Sequence, residues 1–293
     1  MSTIREKVEK ILKQYDSERL TCIGINIYDT GNWYSKAYLS LPIEHSSIEA
    51  LNHKEVSKIF HEFKRNDFIN YFERVYTEDK NELKLNFRLK KQDKTSTEKI
   101  LNVICDYINI EIYELKEILN LAKMEVSDSK NRDYEALYFI NLTFDLKKIE
   151  NSLKRFSCYY MTRFEPVGPV IVTSEKYYKE YIISSNSFFS KLVKDYYIIS
   201  ETGAGSLFIA TIDFYSDEKR TYKLYFKIKD EALLLNELKK LFKFNDFFLK
   251  KINEIENYLD LEEKIHLAFL TFCINNKNEQ SLNFYFENKE NRS

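Results

Sequence analysis

Hydrophobic and polar positions alternate strictly in several short stretches of the chain. In TYKLYFKI (221–228), Leu224, Phe226 and Ile228 fall on one side of an extended strand. Lys223, Tyr225 and Lys227 fall on the other, because successive strand side chains point to opposite faces. Five stretches stack on this register: WYSKAYLSL (33–41), ELKLNFRL (82–89), SLKRFSCYY (152–160), TYKLYFKI and SLNFYFEN (281–288). One column reads Lys36, Lys84, Lys154, Lys223, Asn283; two residues on, the next reads Tyr38, Asn86, Phe156, Tyr225, Tyr285. First-column positions lie 48, 70, 69 and 60 residues apart. That spacing is too uneven for a solenoid and suits repeats carrying different insertions.

Each stretch follows a polar turn and a second strand-like run: CIGINIY before DTGN, INYFERVYT before EDKN, LYFINLTFD before LKKIEN, LFIATIDFY before SDEKR, LAFLTFCIN before NKNEQ. Alternating runs flanking Gly, Asn, Asp or Lys clusters predict hairpins. At 69–90 the hairpin competes with a helix, since FHEFKRNDFINYFERVY also has helical spacing. Between hairpins, HKEVSKIFHEF, STEKILNVICDYI, IYELKEILNLAKM, KYYKEYIISSNSFFSKLV and EALLLNELKKLFKF…FFLKKINEIENYL carry apolar residues at i, i+3, i+4, the period of an amphipathic helix.

Ten antiparallel strands in one sheet must curl, split or close. Leu39, Leu85, Phe87, Leu224, Phe226, Ile228, Leu282, Phe284 and Phe286 would face the helices, and the lysine and tyrosine columns would face away from them. The odd strands agree: Ile23, Ile25 and Ile27 alternate with Cys22, Gly24, Asn26 and Tyr28. The expectation is an α+β chain, a ten-stranded antiparallel β-barrel of five ββ hairpins inside a ring of α-helices. The lumen would be wide, polar and aromatic. No Pro/Gly/Ser linker interrupts residues 1–293, so a single domain is predicted; EPVGP (165–169) is the one loop rich in Pro and Gly. Strand 152–160 fits least well, because Arg155 and Ser157 would then face the helices.

Composition narrows the function. With 45 basic and 46 acidic side chains the net charge is −1, so no overall field favours nucleic acid or an anionic membrane. Five glycines leave little for a phosphate-cradling loop, whereas Phe and Tyr each number 22. The four cysteines, Cys22, Cys105, Cys158 and Cys273, are far apart, which fits reduced thiols and a cytoplasmic setting. MSTIREKVEKILKQYD reads as a charged amphipathic helix, not a signal sequence, and no apolar run is long enough to span a membrane. Four lysines around one axis would repel unless an anion joined them.

The stretch KRTYKLYFKIKDEALLLNELKKLF (219–242), a basic aromatic strand followed by a helix, resembles the ABBA prenyltransferases. SLKRF (152–156) resembles the corresponding strand of the cyanobactin peptide prenyltransferases. The likeness covers the chain as architecture and is confined, as sequence, to short strand motifs. It implies transfer of a dimethylallyl or geranyl group from its diphosphate to an electron-rich aromatic or peptide side-chain acceptor. Lys36, Lys84, Lys154 and Lys223, with Arg88 and Lys227, would then neutralise the diphosphate. Tyr38, Tyr225 and Tyr285, with Tyr28, Tyr160 and Tyr215 behind them, would shield the allylic cation; a desolvated cation–π contact is worth about 2 kcal/mol.

Fungal members carry a carboxylate on the first strand that assists deprotonation of the acceptor; here that strand offers Cys22, Gly24, Asn26 and Tyr28. Asp145, Asp213, Glu73 or Glu287 would have to serve as base or magnesium ligand. Asn283, which breaks the lysine column, and Asn26 would mark the acceptor side. The resemblance leaves Mg2+ open and calls for no organic cofactor. It implies a monomer whose partners are a prenyl diphosphate and an aromatic small molecule or peptide, with no nucleic acid or membrane.

Other patterns carry less. His53 and His61 could share a helix face, but a metal needs more company than His45 and His266 supply. No DDxxD cluster is present. TGAGS (202–206) leads into a strand and reads as a loop, and Asp29-Thr-Gly reads as a hairpin turn. The competing class is a non-enzymatic barrel stacking single-stranded nucleic acid or binding a small anion, since interleaved Lys and aromatics suit such ligands.

Overall fold

The computed structural model describes residues 3–15, 20–41, 57, 69–76, 81–88, 137–148, 153–161, 187–196, 198–215, 217, 219–261 and 265–288. Apart from Ser57, the three helices expected between residues 53 and 124 lie outside them, as do His45, His53, His61 and EPVGP. Ten strands appear: β1 Leu20–Tyr28, β2 Trp33–Leu41, β3 Ile69–Tyr76, β4 Asn81–Arg88, β5 Leu137–Asp145, β6 Leu153–Met161, β7 Gly205–Tyr215, β8 Arg220–Ile228, β9 Ile265–Asn275 and β10 Gln280–Asn288. They form the five antiparallel hairpins the alternation predicts, INYFERVYT included. Five helices lie among the described residues: α1 Ile4–Gln14, α2 Ser187–Tyr196, α3 Ile198–Glu201, α4 Glu231–Leu241 and α5 Asp246–Leu261. No described helix is long and apolar enough to cross a membrane.

The contacts group into two compact units. The first holds the five helices, β1, most of β2 and β8, β9, β10 and the start of β7 through Ile209. Its strand order is β2–β1–β10–β9–β8–β7. The second holds β3 to β6 and β7 from Ala210, in the order β3–β4–β5–β6–β7.

In the first unit the apolar side of each strand meets helices. Ile23, Ile25, Leu224, Phe226, Leu270, Phe272, Leu282, Phe284 and Phe286 are buried there. Tyr196 of α2 stacks on Phe272 at 3.8 Å, Tyr258 of α5 meets Phe286 edge-on at 6.4 Å, and Phe188 stacks on Tyr222 at 4.7 Å. Burying one such ring contributes about 1.5–3 kcal/mol. The helices start where short polar side chains satisfy their first N–H groups. Thr3 and Glu6 close a capping box on α1, Asp230 accepts from Leu233 N at 2.9 Å on α4, and Asn245 accepts from Phe248 N at 3.1 Å on α5.

TGAGS is the expected loop before a strand. Gly203 sits at φ +81°, where L residues are strained, and the Ala204 carbonyl accepts from Lys229 N and Asp230 N at 3.0 and 3.1 Å. A side chain at Gly205 would meet the Lys227 carbonyl at 3.0 Å. These contacts tie the start of β7 to the end of β8.

Candidate active site

The polar face of the first unit can be read row by row across the strands. Lys36 opposes Gly24 and Gly24 opposes Tyr285; Tyr34 opposes Asn26 and Asn26 opposes Asn283. On β9 the rows continue to Phe269 and Thr271. Directly paired residues share a face, so Lys36, Tyr285 and Phe269 form one row and Tyr34, Asn26, Asn283 and Thr271 the next.

Three predicted tyrosines meet here. The Tyr38 ring lies 5.9 Å from that of Tyr285, which lies 6.1 Å from that of Tyr225. Gly24 leaves the space that Tyr38 uses, since a Cβ there would stand 3.0 Å from the Tyr38 Cε2. Lys36 holds its ammonium 5.1 Å over the Tyr34 ring, and Tyr34 shares a 2.9 Å hydroxyl hydrogen bond with Tyr28. Lys223, two residues before Tyr225 and so on the same face of β8, is buried, while Lys227 is exposed. The result is a continuous wall of π faces with ammonium groups on the same side of the sheet.

The polar face of the second unit is built from Glu82 and Lys84 on β4, Asn141, Thr143 and Asp145 on β5, Arg155 and Ser157 on β6, and Thr211 and Asp213 on β7. Arg155 replaces the Lys154 that the aligned columns put in line. Leu153 opposes Phe144 and Arg155 opposes Thr143, so Lys154 is the extra residue of a β-bulge. Past the bulge, Phe156 opposes Leu142 and stacks on Phe214 at 5.9 Å in the core. The expected lumenal Phe156 and helix-facing Arg155 and Ser157 are therefore corrected: the bulge shifts the strand by one residue, which exchanges its two faces. Lys154 pairs with Glu82 at 2.8 Å.

Arg155 donates from Nη2 to Thr143 Oγ1 at 3.0 Å and approaches Asp213 Oδ2 at 3.4 Å through Nη1. Its guanidinium also stands 5.9 Å from the Tyr215 ring centre. Burial disfavours its charge, but Asp213 above all, then Tyr215, Tyr159 and Glu82, raise its pKa well above the ordinary arginine value. Arg155 is thus a fixed cation, and Asp213, wholly buried against it, is committed to that pair. Asp145 accepts from Lys147 N at 3.0 Å in the β5–β6 turn, which makes it a turn-forming side chain. Glu73 opposes Lys84 in the β3–β4 ladder. The side chains of Glu73, Arg88 and Tyr160 lie outside the described residues. Among the described residues no three His, Cys, Asp or Glu side chains gather as a metal site.

The sequence pattern singles out neither Phe269 nor Thr271 as site residues. The only signal for Arg155 was the poor fit of its strand to the shared register.

Solved structures provide the comparison. AnaPT from Neosartorya fischeri superposes with a TM-score of 0.58 over 92% of this chain and 78% of its own, at 9% identity. NotF prenyltransferase gives 0.60 over 92% and 80%, also at 9% identity. The 6-dimethylallyltryptophan synthase from Micromonospora olivasterospora, in complex with DMASPP and Trp, gives 0.54 over 91% and 81%, again at 9% identity. The chain has the fold of these aromatic prenyltransferases. No family model and no curated protein matches it in sequence. At so low an identity the likeness is one of fold. NotF has also been solved with brevianamide F and DMSPP.

Proposed function

We propose that the protein is a monomeric prenyltransferase that moves a dimethylallyl or geranyl group from its diphosphate to an electron-rich aromatic or peptide side-chain acceptor. The reading takes the ten strands as a single barrel domain ringed by helices. The observation that carries it is the contiguous run Tyr38–Tyr285–Tyr225 with Lys36 and Lys223 on the same strand face, in a fold shared with prenyltransferases.

The chemistry follows from those groups. The allylic C–O bond breaks and its electron pair leaves with the diphosphate, whose charge Lys36 and Lys223 oppose. Lys154 and Arg155 are already paired, with Glu82 and Asp213. The allylic cation is held against tyrosine faces, which attract it without attacking as water would. The acceptor forms a bond to the cationic carbon and loses a proton. With Asp213 held by Arg155 and Asp145 by its turn, Glu287, which opposes His266, is the base candidate left among the described residues.

The test is incubation of the full chain with dimethylallyl or geranyl diphosphate, with and without Mg2+, and pooled aromatic amino acids, peptides and phenols. Mass spectrometry should find an acceptor heavier by one or two isoprene units, and Lys223→Ala should lower turnover far more than it lowers Tm. No product from any pool, together with no thermal stabilisation by either diphosphate, would remove the prenyl-transfer reading in favour of a binding module.

A further inference from the structure

The first unit's polar face carries a histidine that regular strand geometry would have turned away from it. With Phe269 and Thr271 on the polar face, period two along β9 would point His266 toward the helices. Instead Tyr285 opposes Phe269 while the next residue, Phe286, opposes Leu267, so Ala268 is the extra residue of a β-bulge. Leu267 then joins Phe286 in the core, both 1% exposed. His266 opposes Glu287, which lies two residues past Tyr285 and shares its face. The bulge is held from α4, whose first-turn Glu231 accepts from Leu267 N through Oε1 at 3.2 Å. Bulges of this kind re-aim a side chain beside a site.

The neighbours of His266 define what it can do. It is 4% exposed, whereas Glu287 is half-buried. Opposed side chains on neighbouring strands have Cβ atoms about 4.5–5.5 Å apart, so carboxylate and imidazole are within reach of each other. Continuing the β1–β10 register one residue past Ile23 and Phe286 brings Cys22 beside Glu287, and Cys22 opposes Tyr38. The row Tyr38, Cys22, Glu287, His266 thus borders the row of Lys36, Tyr285 and Phe269. Its Tyr38 ring is also part of the tyrosine wall. On the strands flanking β9, the charged groups that share this face are Glu287 on β10 and Lys223 and Lys227 on β8. A proton acceptor works best with a pKa near the operating pH. Imidazole ordinarily titrates at about 6.5 and glutamate at about 4.3.

We infer that His266 is the catalytic base that takes the acceptor's proton, with Glu287 as the positioning residue that faces the imidazolium. The inference rests on the prenyl-transfer reading and moves the proton from the Glu287 carboxylate to the imidazole. Once the acceptor has given an electron pair to the allylic carbon, the hydrogen on the substituted atom is lost. The electron pair of that bond stays with the acceptor and the proton goes to an imidazole nitrogen. Water takes it from the imidazolium before the next turnover, and the carboxylate opposite balances the charge in between.

The experiment incubates the full chain with dimethylallyl diphosphate and pooled aromatic amino acids, peptides and phenols. Released diphosphate is followed by phosphorus NMR and product by mass spectrometry. The wild-type kcat should rise with pH through one ionisation near neutrality and then level off, since the imidazole must be unprotonated to accept. His266→Asn and His266→Gln should each form product about 10²–10⁴-fold more slowly and lose that ionisation. Both should keep the thermal shift given by dimethylallyl diphosphate. Product per diphosphate released should fall, because breaking the allylic C–O bond does not use His266. Added imidazole should restore part of the rate of His266→Ala, which a purely structural histidine would not allow. Glu287→Gln should keep an ionisation near neutrality, where a Glu287 base would lose it. A wild-type rate flat between about pH 5 and 8 overturns the base role without any variant. So does an unchanged kcat in both His266 variants, or a lowered rate that keeps the wild-type pH profile; prenyl transfer then stands. A wild-type chain that releases no diphosphate and makes no product overturns prenyl transfer and the base role with it.

Discussion

Asp213 can be tested as a residue that positions rather than reacts. It is wholly buried against Arg155, whose charge it holds in place. Removing one partner of a buried ion pair strands the other, at a cost of about 3–5 kcal/mol. Asp213→Ala should lose that much in urea unfolding, and adding Arg155→Met should restore a large part of it. A catalytic base would behave otherwise: Asp213→Ala would keep its urea midpoint and lose turnover. Gly24 makes the opposite kind of claim, that a hydrogen atom is needed for function. A Cβ there would stand 3.0 Å from the Tyr38 ring, so Gly24→Ala must push the ring off its seat beside Tyr285. Displacing a positioned group by a fraction of an ångström should lower kcat by about tenfold while Tm moves by only a few degrees. Unchanged kcat would mean Tyr38 is not part of the cation wall.

β6 shows, at the level of a single element, where reading the alternation succeeds and where it stops. SLKRFSCYY alternates well enough to be recognised as a strand, and period two places every residue on one of two faces. What alternation cannot show is a bulge, because one extra residue leaves the local pattern intact and exchanges every later assignment. The structure puts that extra residue at Lys154, so Phe156 moves into the core and Arg155 into the polar row. Elsewhere the faces were legible: the tyrosines of β2, β8 and β10, three strands far apart in sequence, meet as the columns predicted. The row Asn26–Asn283–Thr271 was half legible, its two asparagines standing out as departures from the lysine column and from an acidic first strand. Thr271 looked like any strand residue, since only strand pairing brings it alongside. The bulge makes a clear prediction. Phe156→Ala should cost about 3–5 kcal/mol, as for a large core side chain, and leave kcat per folded molecule unchanged. A lumenal Phe156 would do the reverse, lowering kcat with little change in the unfolding midpoint.

At the scale of the whole molecule the near balance of 45 basic and 46 acidic side chains separates the two readings of the lysine-tyrosine face. A chain that tracks nucleic-acid phosphates binds by releasing condensed counterions. With 6–10 phosphate contacts it loses about 10³–10⁵ in affinity between 50 and 200 mM salt. A diphosphate held by a few local cations releases no such atmosphere. Lys36 already lies over the Tyr34 ring and Arg155 is already neutralised by Asp213. Charges screened over roughly 7–14 Å at these ionic strengths still act at the few ångströms that would separate a bound diphosphate from Lys36 or Lys223. The KM for dimethylallyl diphosphate should therefore rise less than about tenfold over the same salt range, and kcat should hardly change. A fall in affinity of several orders of magnitude would show that long-range charge, not a preformed local site, governs binding, and the nucleic-acid reading would then account better for the aligned lysines and tyrosines.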